Sequence, residues 1–251
     1  MPADLLRLAR VLLWLSLLVP GPLHAGTLSI LSWDEWVRVG YVIDGDTFVT
    51  DAHDKVRLLG INAPEIMHND NPGEPLGETS RRQLRKLIEG KRVRLSFDRQ
   101  RRDDYGRKLA HVYVDGLWVN GKMVELGLAH VYTFAPNFKQ TSALLDLERK
   151  ARSKRLGIWN TARFRLLQAD RIQRTHIGQF RLIEGRIDET GGWNFHMGKL
   201  HVSIPKKSRI WFAKPLNLRL GQKVIVRGKI RISSRGKFYL ALYSPYDLEV
   251  Q

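Results

Sequence analysis

The sequence predicts a mainly β protein that also contains helices, the α+β fold class, arranged in two structural regions. Short segments rich in β-branched and aromatic residues, separated by Asp-Gly turns, occupy much of the first region. Between them lie stretches with one apolar and one charged face, which predict helices. From residue 179 onward, about five short strands without a convincing helix predict a second, small all-β barrel or sandwich, OB-like in strand number and length.

The elements of the first region follow one another from residue 37. Strands are predicted over residues 37–59, 93–97 and 109–114, and helices over about residues 78–89, 121–126 and 142–155. Leu84 and Ile88 share the apolar face of the first helix, and Gly90 stands where a C-terminal cap is expected. Asn120 is the candidate N-cap of the second helix.

The second region follows a basic connector, which we predict to be a linker over residues 161–178. Its strands are predicted over residues 180–188, 193–197, 200–204, 223–232 and 237–243, the last two forming a hairpin. Six aromatic residues are interleaved with basic ones here, and strand alternation requires some of these rings to lie in the core.

Charge predicts a polyanionic partner. The chain of 251 residues carries 42 Lys and Arg against 25 Asp and Glu, a formal charge of +17. Residues 179–251 hold 14 basic and 5 acidic residues, so the shorter C-terminal region is the more basic. Nucleic acid and acidic membrane surfaces both fit such a charge. The chain has no cysteine, which excludes disulfides, thiolate catalysis and cysteine-liganded metals.

Residues 1–25 predict a secretory signal peptide. Arg7 and Arg10 precede the apolar run 11–19, and small residues Ala25 and Gly26 follow it. Such a run is too short to span about 30 Å of hydrocarbon at about 1.5 Å per residue. An uncleaved anchor and a buried helix are the alternatives. The expected location is outside the cytoplasm, periplasmic or secreted.

Four short motifs carry the groups that phosphodiester cleavage requires, namely oxygen ligands for a cation, a base for water and fixed positive donors. Asp46 lies in an Asp-Gly-Asp-Thr turn, Arg57 interrupts an apolar strand, Glu65 follows Pro64, and Arg107 follows a glycine turn. Each has a plain structural alternative: a hairpin turn, a barrel-rim ion pair, and two solvated side chains.

In this order and spacing the motifs resemble the staphylococcal nuclease-like (thermonuclease) family over about residues 37–159. The matching segments are Ile43-Asp44-Gly45-Asp46-Thr47, Val56-Arg57-Leu58-Leu59, Ala63-Pro64-Glu65, Asp104-Tyr105-Gly106-Arg107, Val119-Asn120, Gly127-Leu128-Ala129 and Leu156-Gly157-Ile158-Trp159. The resemblance implies a five-stranded OB-type barrel with three helices over residues 26–160. It also implies calcium-dependent hydrolysis of DNA and RNA that leaves 3′-phosphate ends.

The resemblance also implies the site residues. Glu65 would orient or deprotonate the attacking water, and Arg57 and Arg107 would hold the phosphate and its transition state. Calcium would be held by Asp46, by Asn62 and by the backbone carbonyl of Ala63. Asn62 stands where the family's prototype has aspartate, so one negative charge is lost, and weaker calcium affinity or an altered metal preference is expected.

Contacts with the nucleic acid are expected at two places. Tyr105, Tyr132 and Phe134 would approach the substrate near the site, where an aromatic platform favours unpaired bases and core packing is the alternative. Arg227, Lys229 and Arg231 would bind its backbone from the C-terminal region, for which a stabilising or partner-binding role is the alternative. Removing residues 179–251 is then expected to weaken binding and leave the catalytic step intact.

The sequence therefore predicts an exported, monomeric, calcium-dependent endonuclease with no transmembrane segment in the mature chain. Two non-enzymatic alternatives remain. One is a weakened nuclease fold that only binds nucleic acid, and the other is an envelope protein that binds another anionic polymer. The retention of Asp46, Arg57, Glu65 and Arg107 argues against both, because binding alone does not need this combination.

Overall fold

The computed structural model describes residues 34–67 and 72–251, so the predicted signal peptide lies outside the described residues. From residue 34 onward the described chain belongs to one compact unit. Among its helices, none combines the length and the apolar composition needed to cross a membrane.

The first part of the chain forms a closed five-stranded barrel with three helices, which confirms the predicted α+β fold class. The five barrel strands are β1 Asp34–Val42, β2 Thr47–Thr50, β3 Lys55–Leu58, β5 Arg92–Arg102 and β6 Lys108–Val114. The short strand β7 Leu117–Trp118 pairs with β6, and β4 Ile61–Asn62 pairs separately with β8 His130–Val131. The helices are α1 Gly77–Ile88, α2 Val119–Glu125 and α3 Thr141–Ser153. The strand order is β3-β2-β1-β5-β6-β7, and a parallel pairing of β3 with β6 closes the barrel.

Alternation builds the barrel core. In β5, Val93 and Leu95 are fully buried, while Arg92 and Arg94, which alternate with them, point outward. Leu84 and Ile88 of α1 are buried in the same core, as the apolar face of that helix predicts. The barrel thereby fixes β2 and β3 side by side, with Thr47 opposite Arg57.

Asn120 was expected to cap α2, but it lies inside the helix and is fully buried. Its side-chain oxygen accepts a hydrogen bond from the Val112 amide at 2.8 Å, and its Nδ2 donates to the carbonyls of Leu59 and Ala110 at 2.9 and 3.2 Å. The buried amide is therefore satisfied by strand backbone on both sides of the barrel closure. A cap needs only local partners, whereas this side chain joins segments far apart in sequence.

The C-terminal part forms two sheets around a second core. Its strands are β9 Leu167–Gln168, β10 Phe180–Arg186, β11 Glu189–Thr190, β12 Asn194–Met197, β13 Leu200–Ser203, β14 Lys223–Lys229, β15 Arg231–Ile232, β16 Phe238–Ala241 and β17 Leu248–Val250. One sheet has the order β17-β14-β10-β9 and the other β11-β12-β13-β16-β15. Phe195 and Phe212 are core residues, as alternation requires. A second closed barrel stays a prediction.

The predicted hairpin over residues 223–243 is divided between these sheets. β14 pairs with β10 and β17, whereas β15 pairs with β16. The change of sheet falls at Ile230, which is fully buried and whose amide donates to the Gln179 carbonyl at 2.9 Å. Ile230 therefore separates β14, which ends at Lys229, from β15, which begins at Arg231.

A third apolar cluster joins the two parts of the chain. Ala151, Ile158 and Trp159 pack there with Phe164, Leu182 and Ile225. Within residues 161–178, β9 also pairs in parallel with β10. The proposed boundaries at 160 and 178 stay a prediction, but the connector between them contributes to the packed interior.

Candidate active site

A cleft of about 380 Å³ opens on one side of the barrel. It is lined by Arg57, Leu58, Leu59, Gly60, Ile61, Asn62, Glu65, Asp103, Asp104, Tyr105, Arg107, Leu109, Tyr132, Phe134 and Phe180. The three predicted catalytic residues, Arg57, Glu65 and Arg107, are thus brought to one surface. The described chain brings them together from three separate segments.

Arg57 is held in the cleft by two side-chain hydrogen bonds. Its Nη1 donates to Oδ1 of Asp46 at 2.6 Å, and its Nη2 donates to Oδ1 of Asn62 at 2.7 Å. The Arg57 and Asp46 side chains are only 18% and 5% exposed, so the pair is largely shielded from water. Two oxygens that the sequence analysis assigned to a cation therefore converge on one guanidinium.

Close packing positions Asp46. A Cβ on Gly45 would lie 2.5 Å from the Ala63 Cβ and 2.6 Å from the Ser80 Cβ, so only glycine lets this turn approach the chain at residue 63. Oδ2 of Asp46 then accepts a hydrogen bond from the Ala63 amide at 2.8 Å. The predicted metal-binding set Asp46, Asn62 and Ala63 is therefore contiguous in space.

Asp44 lies beside this set and is an unusual carboxyl group. Burial, reinforced by the charge of Asp46, raises the pKa of Asp44 to about 6. Its Oδ1 accepts a hydrogen bond from the Asp46 amide at 2.9 Å. The sequence motif indicated two carboxylates at a turn. In the structure, Asp44 and Asp46 repel each other in a site that is partly shielded from water.

Glu65 stands at the exposed edge of the cleft. Its pKa is raised, first by burial of part of the side chain and then by the charges of Asp46 and Glu74. The Glu65 amide donates to Oε2 of Glu74 at 3.2 Å, and the Glu74 amide donates to the Glu65 carbonyl at 2.8 Å. The backbone of Glu65 is therefore held on both sides by one residue.

Arg107 is held by Asp103. Its Nε donates to Oδ2 of Asp103 at 2.7 Å, and Oδ1 of the same carboxylate accepts the Arg107 and Tyr105 amides at 3.0 Å each. Burial opposes ionisation of Asp103, but these bonds outweigh it and lower the pKa of Asp103. Tyr105 is 86% exposed, with the Arg107 guanidinium 5.5 Å from its ring centre.

Aromatic side chains line part of the cleft and form its aromatic wall. Tyr132 and Phe134 line the cleft, as expected, and the ring centre of Phe180 lies 5.4 Å from that of Tyr132. Phe180 stacks on His130 with ring centres 4.7 Å apart. Burial lowers the pKa of His130 to about 4, so this ring is a neutral support at neutral pH.

The three basic residues predicted to bind nucleic acid from the C-terminal region have different environments. Lys229 and Arg231 are exposed, away from the cleft lining. Arg227 is 1% exposed, and its guanidinium forms ion pairs with Glu148 and Glu249. The prediction that Arg227 contacts nucleic acid is therefore wrong on physical grounds, because a buried, paired guanidinium is closed to a phosphate.

Two cleft residues, Asp103 and Phe180, were not predicted from the sequence. Asp103 precedes the matched Asp104-Tyr105-Gly106-Arg107 segment directly, and a side chain able to hold the arginine could have been sought there. Phe180 gave no local signal, because it reaches the cleft from β10, the first strand of the second region. Its role depends on packing between segments distant in sequence.

The described residues contain no group of three or more His, Cys, Asp or Glu side chains close enough to hold a metal ion. The histidine pair His196 and His201, which is hydrogen-bonded at 2.9 Å, does not change this result. A cation at the cleft would instead use carboxylate, amide and backbone oxygens together.

Comparison with known proteins matches residues 55–161 to the family described as staphylococcal nuclease homologue. The thermonuclease of Staphylococcus intermedius is 36% identical over 121 residues, which are 47% of this chain and 72% of that protein. The thermonuclease of Staphylococcus hyicus is 30% identical over 143 residues, 56% of this chain and 84% of that protein. Endonuclease YncB of Bacillus subtilis (strain 168) is 36% identical over 129 residues, 49% of this chain and 61% of that protein.

Proposed function

This chain belongs to the staphylococcal nuclease homologue family and is a nuclease of the hydrolase class, and from that premise we propose that it is an exported, monomeric, calcium-dependent endonuclease. Its substrate is DNA, RNA or both, and its products carry 3′-phosphate ends. The observation that carries the proposal is the shared cleft of Arg57, Glu65 and Arg107 beside Asp46 and Asn62.

The oxygen donors at the cleft fit a calcium ion. Asp46 offers a carboxylate, Asn62 an amide oxygen and Ala63 a backbone carbonyl, and hard cations such as calcium prefer oxygen ligands. Oδ1 of Asp46 and Oδ1 of Asn62 already converge on the positive Arg57 guanidinium. Asp44 adds a second carboxyl group whose repulsion from Asp46 a cation would relieve. When bound there, calcium would offset the negative charge of the phosphate and acidify an attacking water.

The protein groups supply the remaining chemistry. Glu65 orients the water and accepts its proton, because it borders the cleft and its pKa is raised by burial and by the charges of Asp46 and Glu74, which outweigh the opposing charges of Arg57 and Arg107. Arg57 and Arg107 donate to the phosphate oxygens as their negative charge grows, which is worth about 3 kcal/mol per donor in typical sites. Asp46 and Asp103 hold the two guanidinium groups in the free enzyme and limit the side-chain freedom lost on binding.

The aromatic wall favours unpaired nucleic acid. Tyr132 and Phe134 present ring faces or edges to the cleft, and a base stacked on an aromatic ring gains about 1–3 kcal/mol whatever its identity. Tyr105 stands exposed at the rim near Arg107, where it can meet a nucleotide next to the cleaved phosphate. This wall supports cleavage of both DNA and RNA single strands.

The decisive experiment compares wild type with Glu65→Gln on single-stranded DNA and RNA, with calcium and with a chelator. We expect cleavage by wild type with calcium only, and products that a 3′-phosphatase converts to extendable ends. We expect a loss of about 100- to 10,000-fold in Glu65→Gln, the usual range of general-base effects. Cleavage in chelator would refute the calcium requirement. Wild-type rates in Glu65→Gln would refute its role, and binding without cleavage under any metal would favour a protein that only binds nucleic acid.

Export is tested separately, because it depends on residues 1–25. The full-length gene is expressed with its own N-terminus, and cytoplasmic and exported fractions are compared by immunoblot. The N-terminus of the exported protein is then sequenced. We expect an exported form that begins near residue 26, and a full-length protein confined to the cytoplasm would contradict the proposal.

A further inference from the structure

We propose that Arg163 is a positioning residue for Glu65 and acts through Glu74. Arg163 lies outside residues 55–161, the segment that matches the nuclease family. The inference rests on the proposed function, because Glu65 is the group that Arg163 positions. It assigns to the connector after α3 a part in the catalytic step.

The first link joins Glu65 to Glu74. The carboxylate of Glu74 accepts the Glu65 amide, and the Glu74 amide donates to the Glu65 carbonyl, so both peptide groups of Glu65 are bound. A Cβ on Gly77 would lie 2.3 Å from the Glu65 carbonyl oxygen, which shows how closely α1 begins against this residue. A shift of Glu74 therefore moves the backbone that carries the Glu65 side chain.

The second link joins Glu74 to Arg163. Nη2 of Arg163 lies 2.5 Å from Oε1 of Glu74, and the two side chains are 19% and 21% exposed. This ion pair is thus partly shielded from solvent, unlike the exposed pairs that contribute little. Glu74 also stands near Glu65, a like charge, and Arg163 supplies the opposite charge that keeps it there.

The third link fixes Arg163 itself. Its Nη1 donates to the Phe180 carbonyl at 3.1 Å, and its guanidinium lies 4.7 Å from the ring centre of Phe164. One guanidinium therefore binds the segment of Glu65 and the first residue of β10, whose ring lines the cleft. The base and the aromatic wall of the cleft are connected through Arg163.

The test measures kcat and KM separately on a short single-stranded oligonucleotide with calcium. Arg163→Met keeps the packing on Phe164 and removes both polar contacts. We expect kcat to fall by about 10- to 100-fold, since a displacement of about 1 Å in a catalytic group can cost about 100-fold, while KM changes by less than about twofold. Glu74→Gln should lower kcat in the same way. The double variant Arg163→Met with Glu74→Gln should show little further loss. Arg163→Lys should recover part of the kcat that Arg163→Met loses.

Arg165→Met is the matched control, because it removes one positive charge from the same connector but lines a separate pocket with Trp159 and Leu166. If Arg163→Met and Arg165→Met have equal kcat values, or if Arg163→Met changes only KM, the positioning role is overturned. Should Arg163→Met fail to fold by circular dichroism, Glu74→Gln decides by the same kcat criterion. Binding of nucleic acid by the wild type without cleavage under any metal would instead overturn the proposed function, which distinguishes the two failures.

Discussion

Replacing Arg227 by methionine tests the conclusion that this arginine stabilises the fold and does not bind nucleic acid. The side chain of Arg227 is 1% exposed, and its Nη1 lies 2.8 Å from Oε2 of Glu148, whose side chain is fully buried. Its Nη2 pairs with Oε1 of Glu249. Because Glu148 is on α3 and Arg227 on β14, the pair also joins the barrel part to the C-terminal sheets.

Loss of Arg227 would leave the buried Glu148 carboxylate without a close cation. Without Arg227, Glu148 keeps the Val131 amide at 2.7 Å, but its remaining ion-pair partner within residues 34–67 and 72–251, Arg152, is at 4.0 Å. Removing one partner of a buried ion pair costs about 3–5 kcal/mol, because the other charge stays buried without compensation. We therefore expect Arg227→Met to lower the free energy of unfolding by about 4 kcal/mol. At about 2–4 °C per kcal/mol for a chain of this size, the melting temperature falls by roughly 8–16 °C.

Urea unfolding and thermal melting measure this loss, and Lys229→Met is the control. Lys229 lies two residues along the same strand and is exposed, so we expect a change within about 0.5 kcal/mol. The double variant Arg227→Met with Glu148→Gln should be more stable than Arg227→Met alone, since it also removes the uncompensated buried charge of Glu148. A loss below about 1 kcal/mol in Arg227→Met, combined with weaker and less salt-dependent binding of nucleic acid, would refute the reasoning and restore a binding role.

The stability difference should also depend on pH. Burial acts to raise the pKa of Glu249, but Arg152 and Arg227 outweigh it and lower that pKa. A carboxylate with a lowered folded-state pKa stabilises the fold at pH values above its unfolded pKa, about 4.3, and this contribution is lost as the pH falls through the folded value. The difference between wild type and Arg227→Met should therefore be largest near neutral pH and shrink in acid.

Two further predictions concern the metal and the C-terminal surface. Asn62→Asp adds a negative charge to the calcium donors, so calorimetry in the Glu65→Gln background should show calcium affinity increased by about tenfold, and unchanged affinity would exclude Asn62 as a ligand. Replacing both Lys229 and Arg231 by methionine should lower the slope of log K against log salt by about 1.4–1.8 if both contact phosphates. An unchanged slope in filter-binding measurements would remove this surface from the interface.

The part of the site that neighbouring strands form could be predicted from local sequence. Asp46, Arg57 and Asn62 lie within one run of turn, strand and turn, and the antiparallel pairing of β2 with β3 brings them together. Arg107 required the resemblance to the family, because it reaches the cleft through the closure of the barrel between β3 and β6. The contacts that hold these groups, such as the close approach at Gly45, were not visible in the spacing.

Contacts between distant segments were not predictable for the same physical reason. Arg227 looked like a strand residue among other cations, and nothing near it in sequence indicated that Glu148 would be buried 79 residues earlier in the chain. Arg163 likewise looked like part of a basic linker. A charged side chain can be assigned to the surface or to a buried pair only when its partner is known, and Glu148 and Glu74 both come from the barrel part of the chain.

These contacts change what removal of residues 179–251 would test. Truncation was expected to weaken binding and to spare the catalytic step. It would also uncover the cluster around Ile158, leave Glu148 without Arg227 and take Phe180 from the cleft. We therefore expect the truncated protein to lose stability and catalysis together. The role of the basic C-terminal surface is separable only by single exposed charges such as Lys229, which leave the shared core and the Arg163 contacts in place.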